Sequence, residues 1–136
     1  YEEVGDTLYK RYTEYKDQIL TTEVYHSGKS ALANGYEYKG QPIIISEYGG
    51  IAFNNDDSGW GYGNKVNTKE DFIKRFDDIT TAVKKIPYCC GFCYTQVSDV
   101  QQEINGLMDM ERNFKVEPEI IKEINERKVG YWRTFM

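Results

Sequence analysis

Pro42-Ile43-Ile44-Ile45-Ser46-Glu47-Tyr48-Gly49-Gly50 is the stretch on which the reading of the fold turns. Three consecutive β-branched residues read as a strand apolar on both faces, which is what a parallel sheet buried under helices requires. Glu47 follows at the strand's end, where a carboxylate is costly unless it has partners or a task. Gly49 and Gly50 let the backbone turn sharply behind it and leave room for a ligand. From the residues alone two readings stand side by side. Glu47 is a functional carboxylate, or it is a strand-end Glu that caps a neighbouring helix or pairs with an Arg.

Upstream, Leu8, Tyr12, Tyr15 and Ile19 recur at helical spacing over residues 6–20, with Asp6 as N-cap. Residues 21–41 carry Gly28, Asn34, Gly35 and Gly40 and read as a long connection, closed by Gln41-Pro42. Downstream, residues 51–67 set Gly59, Gly61 and Gly63 among Asn and Asp and form a loop. Thr68 with Asp71 makes a capping box. Phe72, Phe76, Ile79, Val83 and Ile86 then share one helix face, and Pro87 stops the helix. Residues 89–96 read as a second buried strand and 97–116 as a long polar loop. Pro118 opens a last helix with Ile120, Ile121 and Ile124 on its apolar face. The aromatic tail, 129–136, resists assignment.

Helix, strand, helix, strand, helix is the order of an α/β fold with parallel strands. Each strand leads into a loop rich in Asn, Asp, Gln, Trp and Tyr. In such folds ligands bind at the C-terminal ends of the strands. The polar and aromatic loop residues are therefore expected at one face.

Composition bounds the function. The chain has 136 residues, one domain's worth, and a formal charge of −5 with no Lys/Arg stripe, which argues against nucleic acid as partner. No apolar run approaches membrane-spanning length, and the first ten residues do not read as a signal peptide. Twelve Tyr, six Phe and two Trp make the aromatic content unusual. Such rings stack on sugar C–H faces, but they also fill cores. Cys89, Cys90 and Cys93, odd in number and adjacent, make a poor disulfide framework and suggest a reducing compartment.

The Glu47 stretch resembles the nucleophile strand of glycoside hydrolase family 2, the β-galactosidase and β-glucuronidase family, with its Ser-Glu-(Tyr/Phe)-Gly motif. Gly59-Trp60-Gly61-Tyr62-Gly63 is similar to a loop of one bacterial branch of that family. So is Cys90-Gly91-Phe92-Cys93-Tyr94-Thr95-Gln96-Val97-Ser98-Asp99 with Glu103-Ile104-Asn105-Gly106. Val116-Glu117-Pro118 and Ile124-Asn125-Glu126 resemble the final barrel helix. Spacing and order hold over residues 42–127.

The resemblance implies that the whole chain, 1–136, is the C-terminal portion of a (β/α)8 TIM barrel, from the sixth helix to the eighth. A complete barrel needs roughly 250 residues. It implies a retaining β-glycosidase with Glu47 as nucleophile and a carbohydrate as substrate, working with no cofactor and no metal. Its partners are the remainder of the enzyme, namely the earlier barrel strands and β-sandwich domains. Retaining chemistry sets two carboxyls about 5–5.5 Å apart. The family's acid/base Glu follows an Asn after the fourth strand, and no such segment lies in this chain. Asn125-Glu126 matches those two letters but sits on the last helix and is not assigned catalysis.

Tyr94 ends the second strand where many family members carry a sugar-stacking Trp; a plain core aromatic is the other reading. Trp60, in a glycine-rich loop, is hard to justify as core and is the candidate for contact with the leaving group. Tyr48, inside the motif, is a further candidate for substrate binding. Gln96 and Asp99 are candidates to hydrogen-bond sugar hydroxyls or one another, with Asn64 and Asp56 behind them.

Cys90-Gly91-Phe92-Cys93 is a CxxC in form, but a redox pair belongs at a helix N-terminus, and a zinc site needs about four ligands. Buried small apolar residues is the better reading for these thiols, and His26 reads as polar surface. The Asn54–Gly59 run lacks the final Glu of a calcium loop and reads as turn. A non-catalytic carbohydrate-binding module using Tyr94 and Trp60 is the competing function. Two of eight strands leave sheet edges unpaired, so self-association or weak stability of the isolated piece is expected. A cytoplasmic location is the expectation from the free thiols.

Overall fold

A computed structural model describes residues 1–21, 29–54 and 58–130. Among them are helices α1 (Gly5–Glu14), α2 (Lys16–Ile19), α3 (Lys69–Lys85) and α4 (Pro118–Glu126), with strands β1 (Ile43–Gly49) and β2 (Cys89–Thr95). The strands pair in parallel and α3 is their crossover. A parallel pair needs such a connection, and a helix supplies it while covering one face. The chain is thus α/β. His26, Asp56 and residues 131–136 lie outside the described residues.

Helix α3 forms as its local sequence dictates. The Asp71 N–H donates to Thr68 Oγ1 at 3.0 Å, and the Thr68 hydroxyl donates back to Asp71 Oδ2 at 2.8 Å. Phe72, Phe76, Ile79, Val83 and Ile86 are all fully buried. Each such side chain contributes roughly 1.5–3 kcal/mol by leaving water. The same helix buries Lys84, whose ammonium donates to the Ile124, Asn125 and Arg127 carbonyls at the end of α4. Those carbonyls lack partners inside their own helix, so the lysine caps it from outside.

Helix 6–20 is in fact two pieces. Helix α1 begins at Gly5, with Val4 rather than Asp6 at the cap position and no side-chain cap of its own. Asp78 of α3 supplies the acceptor instead, taking the Gly5 N–H on Oδ2 at 2.7 Å. Tyr15, at φ −106° and ψ 23°, separates α1 from the single turn of α2 and is exposed.

Strand β1 is not apolar-covered on both faces. Ile45 and Tyr48 are buried, whereas Ile44 is 60% exposed. Among the described residues β1 has a hydrogen-bonded neighbour only in β2, and both strands pack on α3. Nothing among the described residues covers Ile44. The same openness corrects the reading of the thiols: Cys89 is buried, but Cys90 and Cys93 are exposed. Among the described residues no helix is long and apolar enough to cross a membrane.

Candidate functional site

The pairing of β1 with β2 is interrupted where Glu47 stands. Ile45 pairs with Phe92 and Tyr48 with Tyr94, so three steps along β1 answer two along β2. In an unbroken strand Ile45 and Glu47 would share a face. The extra residue turns the alternation over: Tyr48 joins Ile45 in the core, and Ser46 and Glu47 are exposed. Such bulges re-aim side chains and are common beside active sites.

Glu47 has one described side-chain donor. The Tyr1 hydroxyl donates to its Oε1, and the Tyr1 ring stacks on Tyr62 with centroids 3.7 Å apart at 14°. The Tyr1 phenol is pushed above its ordinary pKa, first by burial and then by its bonds to Glu47 and Tyr62, so it stays a proton donor. A cavity of about 230 Å³ opens at this point, with Tyr1, Glu2, Arg11, Tyr12, Ile45 and Glu47 in its wall. Glu2, the one other carboxylate there among the described residues, is held in an ion pair with Arg11.

The loops after the two strands are stitched together at that end of the sheet. Gly50 N–H donates to Thr95 O at 2.9 Å, and Phe53 N–H to Ile104 O at 3.0 Å. Trp60 N–H donates to Gln102 O at 2.7 Å, and Ile104 N–H to Trp60 O at 2.8 Å. Beneath them Lys115 Nζ donates to Phe53 O at 2.7 Å, Ile104 O at 2.9 Å and Asp99 Oδ1 at 2.7 Å. Burial lowers the Lys115 pKa, and the bond to Asp99 works against that shift. Asn105, fully buried, takes Gln96 Nε2 on Oδ1 at 2.7 Å and donates to Glu103 Oε1 at 3.0 Å.

The expected site residues are therefore not all gathered around Glu47. Tyr48, expected beside a substrate, lines the cavity at Glu47 but is only 4% exposed and shares a 2.8 Å hydrogen bond with Thr80 of α3. The bulge places it in the core, where burial pushes its phenol up to about 12. Tyr94 packs as a core aromatic, edge-on to Tyr48 at 5.8 Å and Phe76 at 5.0 Å. Its hydroxyl donates to Asn105 O and accepts from the Ile51 N–H, both at 3.3 Å. Its ring lies where a Cβ on Gly49 would be, 2.2 Å away, so only glycine fits there.

Asp99 and Gln96 do not bond one another. Asp99 is spent on Lys115 and on the Gly106 N–H at 2.8 Å, and its carboxylate is a loop anchor rather than a free ligand for hydroxyls. Gln96 is partly exposed but oriented by Asn105. Asn64 binds Glu3 through its N–H at 2.6 Å and its amide at 3.2 Å. Trp60 remains half exposed at 51%. Glu126 lies on α4, exposed and 4.0 Å from Lys122.

Tyr1, Tyr62, Asn105 and Lys115 are the residues that sequence reasoning missed. Tyr1 meets Glu47 across 46 positions, a separation that leaves no local signal. Lys115 left a faint one, a lone cation between Phe114 and Val116. Among the described residues no group of His, Cys, Asp and Glu is placed to hold a metal ion. No protein-family model matches the chain, and no curated protein matches it.

Proposed function

We propose that the chain is the C-terminal portion of a retaining β-glycosidase barrel, β-galactosidase-like, with Glu47 as the nucleophile. One observation carries the reading. A bulge turns Glu47 out at the C-terminal end of a parallel strand, where a phenol donor meets its carboxylate and both strand-end loops converge. That end of a parallel sheet is where α/β proteins bind ligands.

In the proposed reaction a Glu47 oxygen attacks the anomeric carbon while the glycosidic C–O bond breaks. The departing oxygen takes a proton from an acid. Water, giving a proton to the same group, then displaces the carboxylate and restores the starting configuration. Tyr1 on Oε1 orients the carboxylate and leaves Oε2 to attack. The acid must come from beyond the described residues, because Glu2 is engaged by Arg11. Earlier barrel strands and their companion domains are the proposed source. They are also the proposed cover for exposed Ile44 and for the open edge of β1, without which the isolated chain self-associates. Exposed Cys90 and Cys93 favour a reducing, cytoplasmic compartment.

A fluorinated β-glycoside that traps the glycosyl-enzyme tests this on the intact enzyme carrying the chain. Label is expected on Glu47, and none on Glu47→Gln. Label on another residue, or none with any β-glycoside, refutes the assignment. A non-catalytic carbohydrate-binding module is the second reading, favoured by exposed Trp60. It predicts glycoside binding with no covalent label.

A further inference from the structure

Tyr1 reaches Glu47 from a stretch of chain that belongs to no helix or strand, so its place there depends on ties outside regular structure. The strongest is at Glu3. Its carboxylate accepts the Asn64 N–H at 2.6 Å and the Asn64 side-chain amide at 3.2 Å, and it pairs with Arg75 of α3 at 3.5 Å. Arg75 in turn donates to Asn64 O at 2.5 Å, which closes the group on itself. The Asn64 N–H holds the Glu3 carboxyl below its ordinary pKa, so the tie is charged at neutral pH. Gly63, at φ +77°, makes room for it, since a Cβ there would lie 2.9 Å from the Glu3 carboxyl carbon. On either side Glu2 pairs with Arg11 and the Gly5 N–H binds Asp78.

A second contact fixes the Tyr1 ring. Tyr62, on which it stacks, donates its N–H to Gly50 O at 2.8 Å. The Tyr62 ring packs so closely on Gly50 that a Cβ there would lie 2.5 Å from Tyr62 Cδ2, and it meets Trp60 edge-on with centroids 5.9 Å apart at 81°. Neither Glu3 nor Tyr62 lines the cavity at Glu47. Both act on the side chain that meets the carboxylate.

Resting on the reading of Glu47 as nucleophile, we infer that Glu3 and Tyr62 are positioning residues for that carboxylate. Glu3 locks the segment carrying Tyr1 to the loop after β1, and the Tyr62 ring sets the plane of the phenol that donates to Oε1. Held in this way, the carboxylate keeps Oε2 aimed for attack. Released, it turns about its side-chain bonds and reaches the attacking geometry less often. Because both residues act through the Tyr1 hydroxyl, their loss and its loss should not add.

Kinetics on the intact enzyme carrying the chain test this. Tyr1→Phe, Glu3→Ala and Tyr62→Leu should each lower kcat about ten-fold and leave KM within about two-fold. The double variant Tyr1→Phe/Glu3→Ala should lose no more than about two-fold beyond Tyr1→Phe alone. Tyr62→Phe, which keeps the stacked face, should retain most of the activity. Losses that multiply to about a hundred-fold, or a Tyr62→Phe no better than Tyr62→Leu, overturn the proposal. If Glu3→Ala fails to fold, Glu3→Gln, which keeps one acceptor oxygen for Asn64, takes its place with the same non-additivity expected. A second measurement is independent of the reaction. In the full chain labelled with carbon-13 tyrosine, the Tyr1 resonance is the one missing from Tyr1→Phe. Burial and the bond to Glu47 raise the Tyr1 pKa, so in Glu3→Ala and in Glu47→Gln this resonance should titrate at distinctly lower pH. A Tyr1 titration untouched by Glu3→Ala defeats the tie. The expected titration with no covalent label on Glu47 in the parent defeats only the nucleophile.

Discussion

Replacing Lys115 with Met removes one charge and three donated hydrogen bonds while keeping the length of the stem. The Lys115 and Asp99 side chains are only 7% and 8% exposed. Met relieves the desolvation of the ammonium, which is the main cause of its lowered pKa. It also strands the buried Asp99 carboxylate, which keeps the Gly106 N–H, and frees the Phe53 carbonyl, while the Ile104 carbonyl keeps the Phe53 N–H. Breaking a buried pair from one side costs about 3–5 kcal/mol, and an unsatisfied buried carbonyl about 1–3 kcal/mol. Water entering the vacated space offsets part of this, so a net loss of about 4 kcal/mol is expected, a large share of a domain's stability. Adding Asp99→Asn removes the stranded charge and should restore about 2 kcal/mol, a coupling that a double-mutant cycle reads directly. Urea unfolding at neutral pH measures both, as midpoint shifts at constant m. Amide exchange at Trp60 and Ile104 should quicken in Lys115→Met, because the clamp between the two loops is gone. A loss below about 1 kcal/mol, or no recovery on adding Asp99→Asn, would refute the clamp.

Lys84→Met should cost about 2–3 kcal/mol by leaving the α4 carbonyls uncapped, and should speed hydrogen exchange in α4 more than in α3. Unchanged exchange would mean that Ile121 and Ile124 alone hold α4. Alkaline stability follows from Tyr48. Its folded pKa of about 12 exceeds the unfolded value, so its contribution is full below about pH 10 and is lost as pH rises through about 12. The urea midpoint should fall across that window, and a flat midpoint contradicts the burial of the phenol. Cys90 and Cys93 should react rapidly with a thiol reagent, and Cys89 only on unfolding, since burial also pushes its thiol pKa up. Three fast thiols would exclude the described strand β2.

What could be read from the residues was local. The capping pair Thr68 and Asp71, the apolar face of α3 and the stop at Pro87 act within a few positions, and each stands where the spacing predicts. The parallel pair followed from the order of elements. What failed depended on neighbours distant in sequence. Asp6 yielded the capping of α1 to Asp78, 73 positions from Gly5. Asp99 read as a free polar group because its buried cation lies 16 positions on, beyond any turn or helix repeat.

The sequence by itself determined which segments are helix and strand, and that a carboxylate with two glycines behind it ends the first strand. Hydrogen bonding within a segment and side-chain periodicity suffice for that. Only the tertiary structure decided which side chains around Glu47 face solvent. The side-chain alternation of β1 depends on its pairing with β2, and one extra residue reverses it, sending Tyr48 inward and Glu47 outward. The same holds for the company Glu47 keeps. Tyr1, Tyr62 and Trp60 come into line only after α3 has carried β2 alongside β1 and their loops have closed on one another.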